Sequence, residues 1–118
     1  MPGHLTTHVL DVALGRPAVG IRYRLYRMDG ENRTLVSEGT TNADGRVDKP
    51  LLTPATIKPG PYALQYDAAA YHRAAGMPVL DPPFLDIVEL RFSVSALDQH
   101  YHIPLLLAPY SYSTYRGS

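Results

Sequence analysis

The sequence predicts a mainly β fold, an antiparallel sandwich of about seven or eight short strands with one short helix, in a single domain spanning residues 1–118. Three observations lead there. Eleven prolines and nine glycines in 118 residues punctuate the chain too often for long helices. Between them lie runs of five to eleven residues that alternate apolar with polar, the period of a half-buried strand. One segment only, rich in alanine, departs from that period.

Taken in order, Leu5 to Val12 is rich in β-branched residues and sets Thr6, His8 and Leu10 on one face against Leu5, Thr7, Val9 and Asp11 on the other. Gly15-Arg16-Pro17 ends it. Ile21 to Arg27 alternates apolar residues with Arg22 and Arg24, Asp29-Gly30-Glu31-Asn32 is a hairpin turn, and Leu35 to Thr41 is the returning strand. A second turn, Asn42 to Arg46, requires a positive φ at Gly45 and delivers Arg46 immediately after it. The prolines from Pro50 to Pro61 predict a loop, and Tyr62 to Tyr66 a strand. Asp67 is positioned to cap a helix over residues 68–75, with Gly76 as its C′ residue. After a loop from Met77 to Pro83, Leu85 to Ser95 alternates over a long strand. In the closing stretch from His100, the two imidazoles at 100 and 102 share a face opposite Tyr101, Ile103, Leu105 and Leu107. Pro104 lacks an N–H and predicts edge or bulge geometry there.

Composition excludes several classes of function. Eleven basic side chains against eleven acidic ones give a net charge of zero, so no bulk field favours nucleic acid or an acidic membrane surface. Without cysteine there are no disulfides, no thiolate nucleophile and no Cys-based zinc site. No apolar run approaches the roughly 20 residues that span a bilayer, and the first residues carry no basic-then-apolar leader, so a cytoplasmic protein is expected.

The candidate chemistry lies in the histidines at 4, 8, 72, 100 and 102. His4, near the terminus, and His72, on the helix, fit solvated or packing roles. His8 and His102 do not, because each sits in a strand that needs only apolar alternation to fold. Imidazoles on two strands also suit zinc, but no helical His pair and no cysteine accompanies them, and neither metal nor cofactor is expected. By composition alone Arg46 is a solvated turn residue and Tyr115-Arg116-Gly117-Ser118 a frayed tail. An aromatic, a guanidinium and a glycine in succession are nevertheless unusual in a tail.

The segments Leu5 to Asp11, Gly15 to Ala18, Thr41 to Arg46, His100 to Leu107 and Pro109 to Ser118 together resemble the transthyretin-like family, and within it the 5-hydroxyisourate hydrolases of purine breakdown. The resemblance runs from end to end, and the closing Tyr-Arg-Gly-Ser is its most specific part. It implies a transthyretin-like (prealbumin-like) sandwich and hydrolysis of 5-hydroxyisourate in urate degradation. It also implies a homotetramer with sites at the dimer-dimer interface. His8, Arg46 and His102 are then the catalytic constellation, with Tyr115, Arg116, Gly117, Ser118 and His100 binding substrate. The residues from Met77 to Phe84 depart from the family pattern, in a loop that contains none of these positions. Two other readings are a carrier that holds a small aromatic ligand in an intersubunit channel without turnover, and a structural sandwich domain of a larger assembly.

Overall fold

The computed structural model describes residues 3–117 and contains eight strands and one helix, arranged as two four-stranded sheets. The first sheet has the order β2-β1-β7-β8, formed by β1 (His4–Asp11), β2 (Arg16–Pro17), β7 (His100–Ala108) and β8 (Ser111–Thr114). The second has the order β4-β3-β5-β6, formed by β3 (Arg22–Asp29), β4 (Asn32–Thr40), β5 (Gly60–Asp67) and β6 (Ile87–Val94). Helix α1 (Ala68–Ala74) follows β5. No helix among the described residues is long and apolar enough to cross a membrane.

Between the sheets the odd-numbered residues of β1 and β7 meet the inward residues of β3, β5 and β6. Leu5, Val9, Leu25, Leu64, Leu105 and Leu107 are fully buried in one cluster with Tyr62, Tyr66 and Val88. Truncating one of these leucines to alanine costs about 2–5 kcal/mol, because the lost transfer energy is compounded by the cavity left behind. Thr7, a polar member of the inward set, hydrogen-bonds both the Tyr66 hydroxyl and the Ile103 carbonyl at 2.7 Å, so its burial leaves nothing unpaired. With the odd residues committed to the core, strand parity turns His4, Thr6, His8, His100 and His102 to the outer face of the first sheet.

Three expectations are corrected in detail. The sandwich is not wholly antiparallel, since β1 and β7 run parallel in register from His4↔His100 to Asp11↔Leu107. Pro104 lies in an interior strand flanked by β1 and β8, not at an edge. It is tolerated because its carbonyl, which accepts from the Thr114 hydroxyl at 2.7 Å, faces β8, and the β8 ladder ends one residue away at Leu105↔Thr114. The missing N–H therefore falls beyond the ladder. Asp67 stands at the N-cap of α1 without a side-chain capping bond. Its carboxylate is taken instead by Arg24, which donates twice at 3.0 and 3.2 Å, because a charged two-pronged pair outcompetes one backbone N–H.

The turns follow their glycines. Gly30 (φ 61°) sits in the hairpin closed by Asp29↔Asn32, and Gly76 (φ 79°) follows α1 with its N–H bonded to the Arg73 carbonyl.

Candidate active site

The outer face of the first sheet collects the imidazoles because of the parallel ladder. Register pairs His4 with His100 and Thr6 with His102, so residues near the two ends of the chain become lateral neighbours about 4.8 Å apart. His4 and His100 stack with ring centroids 4.0 Å apart and planes inclined by 20°. The Thr6 hydroxyl sits between His100 Nε2, at 2.9 Å, and His102 Nδ1, at 2.8 Å.

Arg46 arrives on the same face through its turn. Gly45 adopts φ 74°, and Asn42 Oδ1 accepts the backbone N–H groups of Asp44 and Arg46 at 2.9 and 3.1 Å, an Asx-type lock. The Val9 N–H donates to the Gly45 carbonyl at 2.8 Å, which pins the turn to β1 in an isolated bridge pairing His8 with Arg46. A β-carbon on Gly45 would stand 2.4 Å from the Val9 carbonyl oxygen, so glycine is required for both its backbone angle and its proximity. The Arg46 side chain joins none of the ion pairs among the described residues and lines a cleft of about 460 Å³ with Thr6, Thr7, Val47, His100 and His102.

Hydrogen bonding settles one protonation state. The carbonyl of Asp44 can only accept, so His8 Nε2, 2.9 Å away, carries the proton, and the lone pair of the neutral ring is on Nδ1. Burial, then the Arg46 guanidinium, lowers the pKa of His8. The same two influences in the same order, followed by His100 and His8, lower that of His102. Both rings are thereby biased to the neutral form that accepts a proton.

The chain's closing residues divide. The Gly117 N–H donates to the His102 carbonyl at 2.7 Å, and a β-carbon there would lie 2.8 Å from His102 Cδ2. Gly117 has no positive φ, so close approach to the imidazole is what demands glycine. Arg116 turns away from the histidines. It donates to Gln99 Oε1 at 2.8 Å and lies 4.4 Å above the Tyr101 ring, and with Tyr115 it lines a separate hollow of about 300 Å³ beside Phe92. Ser118 lies outside the described residues. His72 is buried on α1, away from this face, with Nε2 unpartnered.

A larger hollow of about 540 Å³ lies between Arg16, Arg22 and Tyr71 of α1, but it holds no imidazole to move a proton. His100, His102 and Arg46 line the smaller cleft. No three His, Cys, Asp or Glu side chains among the described residues converge as metal ligands. Sequence reasoning missed Thr6 and His4. Their signal was available, since both share the parity of His8 and so its face.

The fold and this face define a β-sandwich that displays four imidazoles and, among the described residues, a guanidinium outside any ion pair on the outer face of its first sheet. The model of the HIUase/Transthyretin family matches residues 5–117, and the chain belongs to that family. It is 55% identical over 116 residues to 5-hydroxyisourate hydrolase 2 of Rhizobium meliloti, covering 98% of this chain and 97% of the relative. Among solved structures it is similar to (S)-allantoin synthase, with TM-score 0.93 and 42% identity over 99% of this chain. This chain spans 44% of that one. The 5-hydroxyisourate hydrolase of Klebsiella pneumoniae superposes with TM-score 0.80 at 33% identity, covering 98% and 99% of the two chains. Sea bream transthyretin in complex with thyroxine gives 0.85 at 28%, covering 96% and 93%.

Proposed function

We propose that this chain is a 5-hydroxyisourate hydrolase, opening the ring of its substrate to 2-oxo-4-hydroxy-4-carboxy-5-ureidoimidazoline in urate degradation. It works as one domain over residues 1–118, in the cytoplasm, as a homotetramer whose sites lie in clefts between dimers. The observation that carries the reading is the convergence of His8, Arg46 and His102 on one outer face in a chain 55% identical to a hydrolase of that name.

In the reaction a water oxygen bonds to the ring carbonyl carbon, the carbon–nitrogen bond breaks, the nitrogen takes a proton and the new carboxyl group loses one. His102, which lines the cleft, receives the proton of the attacking water at Nε2. Arg46 offers a planar, permanently charged set of donors to the oxygen on which negative charge develops. His8, neutral and held by the Asp44 carbonyl, orients the substrate beside Arg46. Gly117 lets the chain lie close against His102, and His100 lines the same cleft. Substrate contacts by Tyr115 and Arg116, which border the separate hollow, and by Ser118 belong to the same proposal.

The carrier reading draws on the likeness to a transthyretin holding thyroxine. Freshly made 5-hydroxyisourate followed by ultraviolet absorbance separates the two, run before and after dialysis against a strong chelator. Rapid loss of substrate absorbance in both samples is expected. Decay at the spontaneous rate would leave the carrier, and loss restored by zinc would replace the metal-free mechanism with a His-ligand site.

A further inference from the structure

We propose that Thr6 is a positioning residue whose hydroxyl couples His100 and His102 into a proton path from the cleft to solvent. This inference rests on the hydrolase reading. The Thr6 hydroxyl has one proton to give, and its partners among the described residues are the two facing ring nitrogens, His100 Nε2 at 2.9 Å and His102 Nδ1 at 2.8 Å. With both rings neutral and the hydroxyl satisfied by them alone, it donates to one nitrogen and accepts from the other. Only one of the two then carries a proton, and the tautomers of the two histidines are linked.

Two states follow. In the first, His102 Nδ1–H donates to Thr6, Thr6 donates to a bare His100 Nε2, and His102 Nε2 holds a lone pair. This is the form that accepts a proton from water. When Nε2 takes that proton, the Nδ1 proton passes to Thr6 Oγ1 while the hydroxyl proton passes to His100 Nε2. His100 becomes the imidazolium and releases its Nδ1 proton to solvent, to which it is exposed. The second state remains, with both Nε2 atoms protonated and His102 Nδ1 accepting from Thr6. His102 then gives its Nε2 proton to the leaving nitrogen as the relay runs inward, Thr6 protonating His102 Nδ1, His100 Nε2 passing its proton to Thr6 and His100 Nδ1 taking one from solvent, which restores the first state. The outward and inward runs cancel over a turnover, so the relay exchanges the water's proton and the leaving nitrogen's proton with solvent without opening the cleft, and the one net proton released is that of the product carboxyl group.

The surroundings favour release. His4 stacks on His100 at 4.0 Å, and burial followed by the His4 charge lowers the pKa of His100. His102 faces Arg46, His100 and His8, all of which disfavour a lasting imidazolium. Gln99 and Arg116 occupy each other nearby.

The test compares Thr6→Val, which keeps the shape without the hydroxyl, with Thr6→Ser, which keeps the hydroxyl. In long-range ¹⁵N–¹H spectra at pH 7.5, wild type should show one protonated and one bare nitrogen among His100 Nε2 and His102 Nδ1. Thr6→Val should lose that complementarity. Its kcat should fall about ten-fold or more with KM within about two-fold, and the acid limb of its pH profile should move. Thr6→Ser should recover most of the rate and the wild-type profile. A Thr6→Val protein with wild-type tautomers and kcat would overturn the proposal, as would a loss that serine fails to recover, which is a packing effect. If wild type itself does not open 5-hydroxyisourate, the hydrolase reading falls, while the spectra still decide the coupling.

Discussion

At the scale of single residues the proposed mechanism rests on His8, Arg46 and His102, and each removes something different when truncated. Under that proposal alanine at His102 deletes the proton acceptor, at Arg46 the charge facing the developing oxyanion, and at His8 the neutral ring beside it. Each variant is expected to lose about 100-fold or more in turnover with its circular dichroism unchanged, since the three side chains lie outside the core. The pH dependence has a definite sign. Because burial and Arg46 lower the pKa of His102, its base form is populated through neutrality. Turnover should be flat near pH 7 and fall on the acid side with an apparent pKa below the ordinary imidazole value of about 6.5. An acid limb centred above that value would mean that another group limits the rate. Gly117→Val tests the close approach to His102, where a β-carbon at 2.8 Å from the ring must push either the imidazole or the chain's end aside. A loss of ten-fold or more in turnover is expected, and an unchanged rate would return the terminal residues to the status of a tail.

Elements deliver those residues, and the 42–46 turn does so under the tightest constraint. Gly45→Ala requires a positive φ of a residue with a β-carbon and places that carbon against the Val9 carbonyl. Destabilisation of about 1–3 kcal/mol is expected by thermal or denaturant unfolding. Activity should fall further than stability alone explains, because Arg46 is displaced with the turn. If the variant were destabilised but fully active at a temperature where it is folded, Arg46 would not depend on the turn for its aim. The parallel β1–β7 pairing is the other decisive element, since it alone makes Thr6 a neighbour of both His100 and His102.

Across the whole molecule, exposed apolar surface and acid sensitivity are the properties to measure. Edge strand β8 presents Tyr112, 43% exposed, with Tyr110 beside it at 57%, and Leu10 and Leu106 share the face of the imidazoles. Such an edge with aromatic side chains suits pairing with another copy, and light scattering should give the mass of a tetramer. A fully active monomer would contradict an intersubunit site. The pKa values of His8, His72, His100 and His102 are all lowered, chiefly by burial. The unfolded chain therefore binds more protons than the folded one once pH drops below about 6.5. The stability these neutral rings contribute is complete above that pH and is lost as pH falls through their folded pKa values. Melting temperature should decline between about pH 7 and 5, and less steeply in His72→Leu, which removes the most deeply buried ring. An equal decline would assign the effect to the outer-face histidines.

Alternation along each strand determined much of this protein by itself. It separated core from outer face for β1 and β7, because side-chain direction has period two regardless of what the strand packs against. Gly45 marked its turn, because only a residue without a β-carbon takes that backbone angle freely. The terminal motifs and the histidines pointed to the family. Tertiary structure alone decided what strand parity cannot encode: which strands lie side by side, in which direction and in what register. Those three choices place Thr6 between two imidazoles 94 and 96 residues away, seat Pro104 in an interior strand, and send Asp67 to Arg24 instead of to its helix. Each depends on a partner distant in sequence, and the common burial of both sheets, to which no single segment is committed beforehand, brings that partner within reach.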